Sequence, residues 1–299
     1  MKLIDRLRDE IPNLTVAERV DMRDYTTFRI GGRADLMVSP HNTDELINAQ
    51  RLACETETPI FILGNGSNVL VSDSGLRGMV IRLADMNDVT VDGHTVTAQC
   101  GAKLSKMAAV ACNAGLKGLS FAHGIPGTVG GGVFMNAGAY GGQMSDIITR
   151  TVYLKSDGTQ AEINGSEHNF GYRHSFFTEN PDCIILETNA LLKKGREMDI
   201  RREMEEYFER RRSKQPLSQP SAGSVFKRPE GHFAGSLIEQ CGLKGLTVGG
   251  ARVSEKHAGF IINIGGAKCA DVLKLIEMIQ KTVMSKMGVE LMPEIKVVG

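Results

Sequence analysis

Two glycine-rich segments carry the strongest chemical signal in the chain. The first, Gly64-Asn65-Gly66-Ser67-Asn68, follows an apolar run over residues 59–63. Glycine permits positive φ and lets backbone N–H groups close on an anion. The segment therefore reads either as a tight structural turn or as an anion loop. It is not the G-x-G-x-x-G dinucleotide fingerprint, because Val69 holds the sixth position and Val69-Leu70-Val71 is β-like rather than helical. No G-K-[ST] follows, so it is not a P-loop either. The second segment is denser: Gly124-Ile125-Pro126-Gly127-Thr128-Val129-Gly130-Gly131-Gly132, then Asn136-Ala137-Gly138-Ala139-Tyr140-Gly141-Gly142. So much glycine is costly in backbone entropy, which argues against a purely structural role. Two such loops suit a large phosphate-bearing ligand, and a nucleotide cofactor is expected.

Four further groups of residues have the right types for chemistry. Tyr172-Arg173-His174-Ser175 is polar and aromatic without periodicity, and by spacing alone Arg173 reads better as a surface charge than as a functional one. Arg210-Arg211-Arg212 sits in the last turn of an expected helix, where cations complement the helix dipole. Ser221-Ala222-Gly223-Ser224-Val225-Phe226-Lys227-Arg228-Pro229 reads as a turn or as a phosphate loop. Glu294 is an isolated carboxylate between Pro293 and a short strand. There is no G-x-S-x-G, so a hydrolase nucleophile elbow is not supported. The seven histidines and six cysteines show no ligand spacing, so no metal site is expected.

The elements that must position these residues are mixed. Apolar periodicity predicts helices over 3–11, 43–55, 103–114, 199–214, 236–241 and 271–287, with Thr43 as an N-cap and Gly115 and Gly288 as stops. Strands are expected over 34–39, 59–63, 69–71, 79–83, 89–92, 94–99, 151–155, 184–192, 260–264 and 295–298. That irregular order favours α+β over a doubly wound sheet. The 299 residues suggest two domains, with 41% hydrophobic and 23% charged residues. Thirty-five basic and 35 acidic side chains balance, which argues against nucleic acid or an anionic membrane as partner. No apolar run is long enough to span a bilayer, and the first residues lack a signal-peptide core, so a cytoplasmic protein with reduced cysteines is expected.

The ordered blocks TTFRIGG (26–32), ILGNGSNVLVSD (62–73), GIPGTVGGGVFMNAGAYGG (124–142), GYRHSFF (171–177), QPLSQPSAGSVFKRP (215–229) and PEIKVVG (293–299) resemble the UDP-N-acetylenolpyruvoylglucosamine reductase (MurB) family of peptidoglycan synthesis. The likeness runs from Thr26 to the C-terminus. It implies an α+β fold: an FAD-binding domain of the vanillyl-alcohol-oxidase (PCMH) type made of two α+β subdomains over 26–195, then a C-terminal α+β substrate domain over 196–299. Residues 1–25 would be an N-terminal helix and lead-in.

The resemblance also implies roles. FAD would be held non-covalently by Gly64, Asn65, Gly66, Ser67, Asn68, Ile125, Pro126, Gly127, Thr128, Gly130, Gly131, Asn136, Ala137 and Gly138. NADPH would be the hydride donor and a nucleotide sugar the substrate. Arg173 matches the family's catalytic arginine, Ser224 its proton donor and Glu294 its catalytic glutamate. Tyr172, Arg211 and Arg228 match positions that contact the UDP-sugar. The short route from Arg173 to Ser224 is similar to the compact branch of the family, which lacks an additional substrate-covering loop. Ser224 and Glu294 in these contexts speak against the other readings, an oxidase on the same fold or a non-catalytic nucleotide-sugar sensor.

Overall fold

The computed structural model describes residues 2–299, and the chain forms two compact units. One comprises the chain up to Ala17, Leu36–Asn65 and Gly78–Arg211; the other comprises Glu18–Asp35, Gly66–Arg77 and Arg212–Gly299. The expected linear boundary near 195–200 is not the division that forms. The helix Glu197–Lys214 belongs almost wholly to the first unit, and two early segments belong to the second.

In the first unit, the parallel strands Ile60–Leu63 and Leu76–Arg82 pair from Ile60↔Met79 to Leu63↔Arg82. Strands Arg33–Ser39 and Thr15–Asp21 extend this sheet, and the Thr43–Glu55 helix carries the chain between strands. The helix is capped by Asn42, not Thr43: the Glu45 N–H donates to Asn42 Oδ1 at 2.9 Å. A second, antiparallel sheet runs Gln160–Asn164, Ile148–Leu154, Ile184–Leu191, Thr95–Gln99, Val89–Asp92. The Leu104–Asn113 helix, with Leu104, Met107, Ala108 and Ala111 buried, packs into the same core and stops before Gly115 at φ +67°. All six cysteines are unbridged, and burial pushes the Cys100 thiol up to about 12.

The second unit is organised by the Cys269–Met287 helix. Its stripe Val272, Leu275, Ile276, Ile279 and Val283 is buried beside the three-stranded sheet Thr247–Val248, Ala251–Val253 and Ile261–Asn263. Asp73 accepts from the N–H groups of Cys269 (2.8 Å) and Ala270 (3.1 Å), so a carboxylate from the first glycine block closes the helix N-terminus. Phe28 and Ile30 are fully buried in this core. Their backbone is held by Asn263, whose Nδ2 donates to the Phe28 and Arg29 carbonyls at 3.2 Å each. These non-local bonds are why residues far ahead of 195 join the second unit. None of the described helices is long and apolar enough to cross a membrane.

The antiparallel sheet contains one buried polar chain. His168 is fully buried; its Nδ1 donates to the Gly165 carbonyl at 2.9 Å, leaving Nε2 to accept from Thr151 Oγ1 at 2.9 Å. Thr151 in turn meets Thr188 across the sheet at 3.0 Å. Burial, the largest cause, holds the imidazole pKa below its ordinary value. The unfolded chain therefore takes up this proton more readily than the folded one. The stabilisation is present above about pH 6.5 and is lost as pH falls below it. His168→Gln removes the titration. The difference in Tm between wild type and variant should narrow from pH 7 to pH 5, and a constant difference would exclude His168 as a source of acid lability.

Candidate functional site

In the first unit the two glycine segments meet. Asn65 Nδ2 donates to the Pro126 carbonyl at 2.7 Å, and a Cβ on Gly64 would stand 2.5 Å from Thr128 Oγ1. The loop 64–68 then carries the chain into the second unit. Gly66 has φ +59° and lies against the Tyr25 carbonyl, so it is glycine for backbone reasons of its own. The N–H groups of Asn65, Gly66, Ser67 and Asn68 find no acceptor among the described residues. Consecutive unspent N–H groups are what an anion nest requires.

The second segment is a helix where a loop was expected. Val129–Phe134 is helical and capped by Thr128, whose Oγ1 accepts from the Gly131 N–H at 3.3 Å. The Val129 and Gly130 N–H groups are spent on the Ala102 (2.7 Å) and Cys100 (2.8 Å) carbonyls. Cβ atoms on Gly130 and Gly132 would stand 3.0 Å from Cys100 Cβ and 3.2 Å from Leu104 Cδ2. Part of the glycine density is therefore packing. Gly138 is likewise committed, to a hairpin with Gln143, and the backbone of Ala137 bonds to Gly132 and Met144. Gly131 differs: it is exposed, with only the Thr128 hydroxyl 3.4 Å from its Cβ position. The N–H groups of Gly124, Gly127 and Thr128 also lack acceptors among the described residues. Ile125 is half-buried and Pro126 exposed beside them.

Asn136 serves the fold rather than pointing outward. It is buried at φ +42°, accepts from the Ser145 N–H at 2.9 Å and donates to the Gly171 carbonyl at 3.0 Å. Gly171 and His174 exchange both backbone bonds (3.1 and 3.3 Å), so Tyr172 and Arg173 form the tip of a two-residue turn. Arg173 occupies φ +55°, a conformation that costs a branched residue energy and favours glycine. Ser175 Oγ donates to the Phe134 carbonyl at 2.7 Å and ties the other side of the turn to the glycine helix. The Arg173 guanidinium lies 5.1 Å from the centre of the exposed Tyr172 ring. Sequence reasoning missed the anchoring roles of Asn136 and Ser175, although both lie inside the matching blocks.

Arg211 closes this side. Tyr207, four residues earlier, stacks on Tyr140 at 4.7 Å, and Phe208 meets His123 edge-on at 6.3 Å. Arg211 Cδ comes within 3.2 Å of the Gly124 Cβ position. Burial pushes the guanidinium below its ordinary pKa, with Tyr140 opposing, and it has no hydrogen bond or ion pair among the described residues. Removing a cation from water without an anion is unfavourable, so this position is suited to receive one.

In the second unit the backbones around Ser224 and Glu294 come together, although Glu294 lies far along the chain. Ser224 bridges Phe260, the Val225 N–H donates to the Gly259 carbonyl at 2.9 Å, and the Glu294 N–H donates to the Val225 carbonyl at 2.7 Å. Phe226 bridges Pro293, and Lys227 N–H donates to Met292 at 2.8 Å. Residues 224–227 thus form a central rung between 259–260 and 292–294. Asn68 adds Nδ2 to the Glu294 carbonyl at 3.3 Å, and Lys296–Val298 runs parallel to Val69–Val71. Ser224 Oγ is half-buried and donates to the Phe226 carbonyl at 3.3 Å. The Lys296 ammonium is depressed first by burial and then by repulsion from Lys227, although the residue as a whole retains surface. Lys227 lies in the segment that reads from sequence as a turn or a phosphate loop, whereas Lys296 was not singled out there. Arg228 lies 4.0 Å over the Phe233 ring and points Nε to the His232 carbonyl at 3.4 Å.

The profile of the C-terminal domain of UDP-N-acetylenolpyruvoylglucosamine reductase matches residues 215–298, and that of an FAD binding domain matches residues 34–164. The latter contains both glycine segments, whose unspent N–H groups and open face at Gly131 fit the diphosphate of FAD. The chain is 48% identical over 297 residues to a UDP-N-acetylenolpyruvoylglucosamine reductase of Caldanaerobacter subterraneus, covering 99% of this chain and 98% of that protein. It is 46% identical over 293 residues to one of Pediococcus pentosaceus, covering 98% and 97%. The crystal structure of the MurB reductase from Thermus caldophilus matches with a TM-score of 0.82 at 36% identity, covering 96% of this chain and 99% of that one. Glucooligosaccharide oxidase of Acremonium strictum shares the fold at a TM-score of 0.51 and 14% identity, covering 98% and 61%. The fold is thus α+β with an FAD-binding domain of the vanillyl-alcohol-oxidase type. By near-full-length identity, by both profiles and by fold, this chain is an FAD-dependent oxidoreductase and belongs to the UDP-N-acetylenolpyruvoylglucosamine reductase family.

Proposed function

We propose that the protein reduces the enolpyruvyl ether of UDP-N-acetylglucosamine to UDP-N-acetylmuramate with NADPH, in cytoplasmic peptidoglycan precursor synthesis. The observation that supports this reading is the bond from the Glu294 N–H to the Val225 carbonyl at 2.7 Å, which ties the backbone of Glu294 to the residue next to the half-buried Ser224. Bound FAD would supply the two-electron chemistry, taking hydride from NADPH and returning it to C3 of the enolpyruvyl group.

The chain's own residues manage charge and protons. Hydride arriving at C3 leaves a carbanion at C2, conjugated with the carboxylate as an enolate. Arg173, pre-set in a strained turn, would stabilise that developing charge, with Glu294 holding the enolic form. Ser224 would deliver its hydroxyl proton to C2; so strong a carbon base can take a proton even from a weak acid. Lys227 and Lys296, which repel one another, would add positive charge to this part of the unit and so ease the serine's passage through its alkoxide. Arg211 and Arg228 would meet the diphosphate of the nucleotide sugar, with Tyr172 beside it.

Three outcomes test this reading. Gly66→Val would disturb the chain against Tyr25 whatever the ligand, so Gly131→Val is the informative change in the glycine segments. It should purify folded but with little flavin, measured by absorbance against protein; full flavin content would remove Gly131 from the cofactor's path. Heat denaturation of the wild type should release free FAD.

Arg211→Ala and Arg228→Ala should each weaken substrate binding about 10–150-fold, for a charge-assisted contact of about 1.5–3 kcal/mol. Flavin reduction by NADPH should hardly change. An unaltered KM for the nucleotide sugar in both variants would leave these arginines as a helix-end charge and a ring-stacked surface charge.

Ser224→Ala should keep FAD and be reduced by NADPH at a near-normal rate. Its reoxidation by the enolpyruvyl substrate should fall by about 10²–10⁴-fold, the range for a lost general acid. Stopped-flow flavin absorbance separates the two halves. Equal slowing of both would reassign Ser224 to positioning.

A further inference from the structure

The imidazole of His257 occupies a built seat that the chemistry above does not use. Cβ atoms on Gly235 and Gly259 would each stand 3.0 Å from His257 Cε1, and the one on Gly259 would stand 3.1 Å from Nδ1. Neither glycine has positive φ, so backbone conformation is not what excludes a side chain there. The ring itself excludes it. Phe260 packs edge-on at 5.0 Å, and the backbone around the ring is closed by the Phe260 N–H to the His257 carbonyl at 3.0 Å.

A backbone hydrogen bond accepted by the ring leads to Ser224. The Gly259 N–H donates to His257 Nδ1 at 3.1 Å, so Nδ1 carries no proton and the neutral ring is protonated at Nε2. The carbonyl of the same Gly259 accepts the Val225 N–H at 2.9 Å, Phe260 bridges Ser224, and the Gly259 Cβ position is 3.5 Å from Ser224 Oγ. A larger residue at 259 would meet the imidazole on one side and the serine hydroxyl on the other.

Resting on the reading of Ser224 as proton donor, we infer that His257 is its positioning residue: the neutral imidazole, by accepting the Gly259 N–H, holds the rung that seats the Ser224 hydroxyl, and a proton on Nδ1 releases it. The charged groups around the ring do not replace that acceptor. Glu239 of the Ala234–Gln240 helix is engaged with Lys244, and Lys256 donates to the Arg212 carbonyl at 2.6 Å. Glu255, exposed, lies against Gly245. Burial, the largest cause, lowers the His257 pKa; the residue's own backbone carbonyl opposes it, Lys244 adds to it and Glu239 opposes it. The positioning bond therefore persists to below the ordinary histidine value and is lost as pH falls further.

The test uses the flavin-loaded enzyme and two substitutions. His257→Asn places an amide oxygen where Nδ1 accepts and abolishes the titration; His257→Ala removes the acceptor. In stopped flow, His257→Ala should be reduced by NADPH at a near-normal rate. It should reoxidise with the enolpyruvyl substrate about 10- to 100-fold more slowly, the scale of a misplaced reacting group, in kcat rather than KM. His257→Asn should retain most of the neutral-pH rate and lack the acid-side loss of reoxidation that the wild type should show at pH values under the ordinary histidine range. Histidine 15N NMR of the wild type should show His257 neutral and protonated at Nε2. Three results would overturn the inference: normal reoxidation in His257→Ala, an acid limb unchanged in His257→Asn, or an Nδ1-protonated neutral ring. If Ser224→Ala itself reoxidises normally, the fault lies in the reading of Ser224; if Ser224→Ala is slow and His257→Ala is not, it lies here.

Discussion

The backbone rung over residues 224–227 is the constraint on which the chemistry of the second unit depends. It takes bonds from Gly259 and Phe260 on one side and from Met292 to Glu294 on the other. Without it a serine that follows a glycine would be a mobile, fully hydrated hydroxyl. With it, the hydroxyl, a carboxylate and two lysines are presented from fixed backbone. Preorganisation of this kind avoids reorientation at the moment of reaction. It explains why no separate scaffold is needed for Glu294: the strand Lys296–Val298 lies along Val69–Val71, directly after the first glycine loop.

Glycine does three different jobs in this chain. Gly66 satisfies a left-handed backbone pressed against Tyr25, and Gly130 and Gly132 let a short helix lie against Cys100 and Leu104. Gly131, by contrast, is open at its Cβ position save for the Thr128 hydroxyl, and the N–H groups of 65, 124, 127 and 128 find no acceptor among the described residues. The helix Val129–Phe134 spends its first N–H groups internally.

Charge is arranged with the same economy. Most ionic pairs lie on the surface, such as Arg6–Glu10 at 2.8 Å and Arg77–Asp35 at 2.7 Å, and contribute little to stability. Arg211 is the contrast: partly withdrawn from water, flanked by Tyr140, and with no anion among the described residues. Arg173 is held by geometry instead, through Asn136 on the Gly171 carbonyl and Ser175 on that of Phe134. Each cation's freedom is spent during folding, before any ligand arrives.

The sequence by itself determined the local elements with strong periodicity and clear stops: the Leu3–Glu10, Leu104–Asn113 and Cys269–Met287 helices, the left-handed Gly115 and Gly288, and the strand after the first glycine loop. These are short-range consequences of side-chain spacing and capping. Its ordered blocks also pointed to the family. Tertiary structure alone decided that 129–134 is helical, that Asn136 is an anchor, and that residues 18–35 and 66–77 join the second unit. Only tertiary structure, too, made Glu294 a neighbour of Ser224 and wedged His257 against Gly235 and Gly259. The reason is physical: a glycine run has no side chains to show a period, and hydrogen bonds between residues far apart in sequence leave no trace in local spacing.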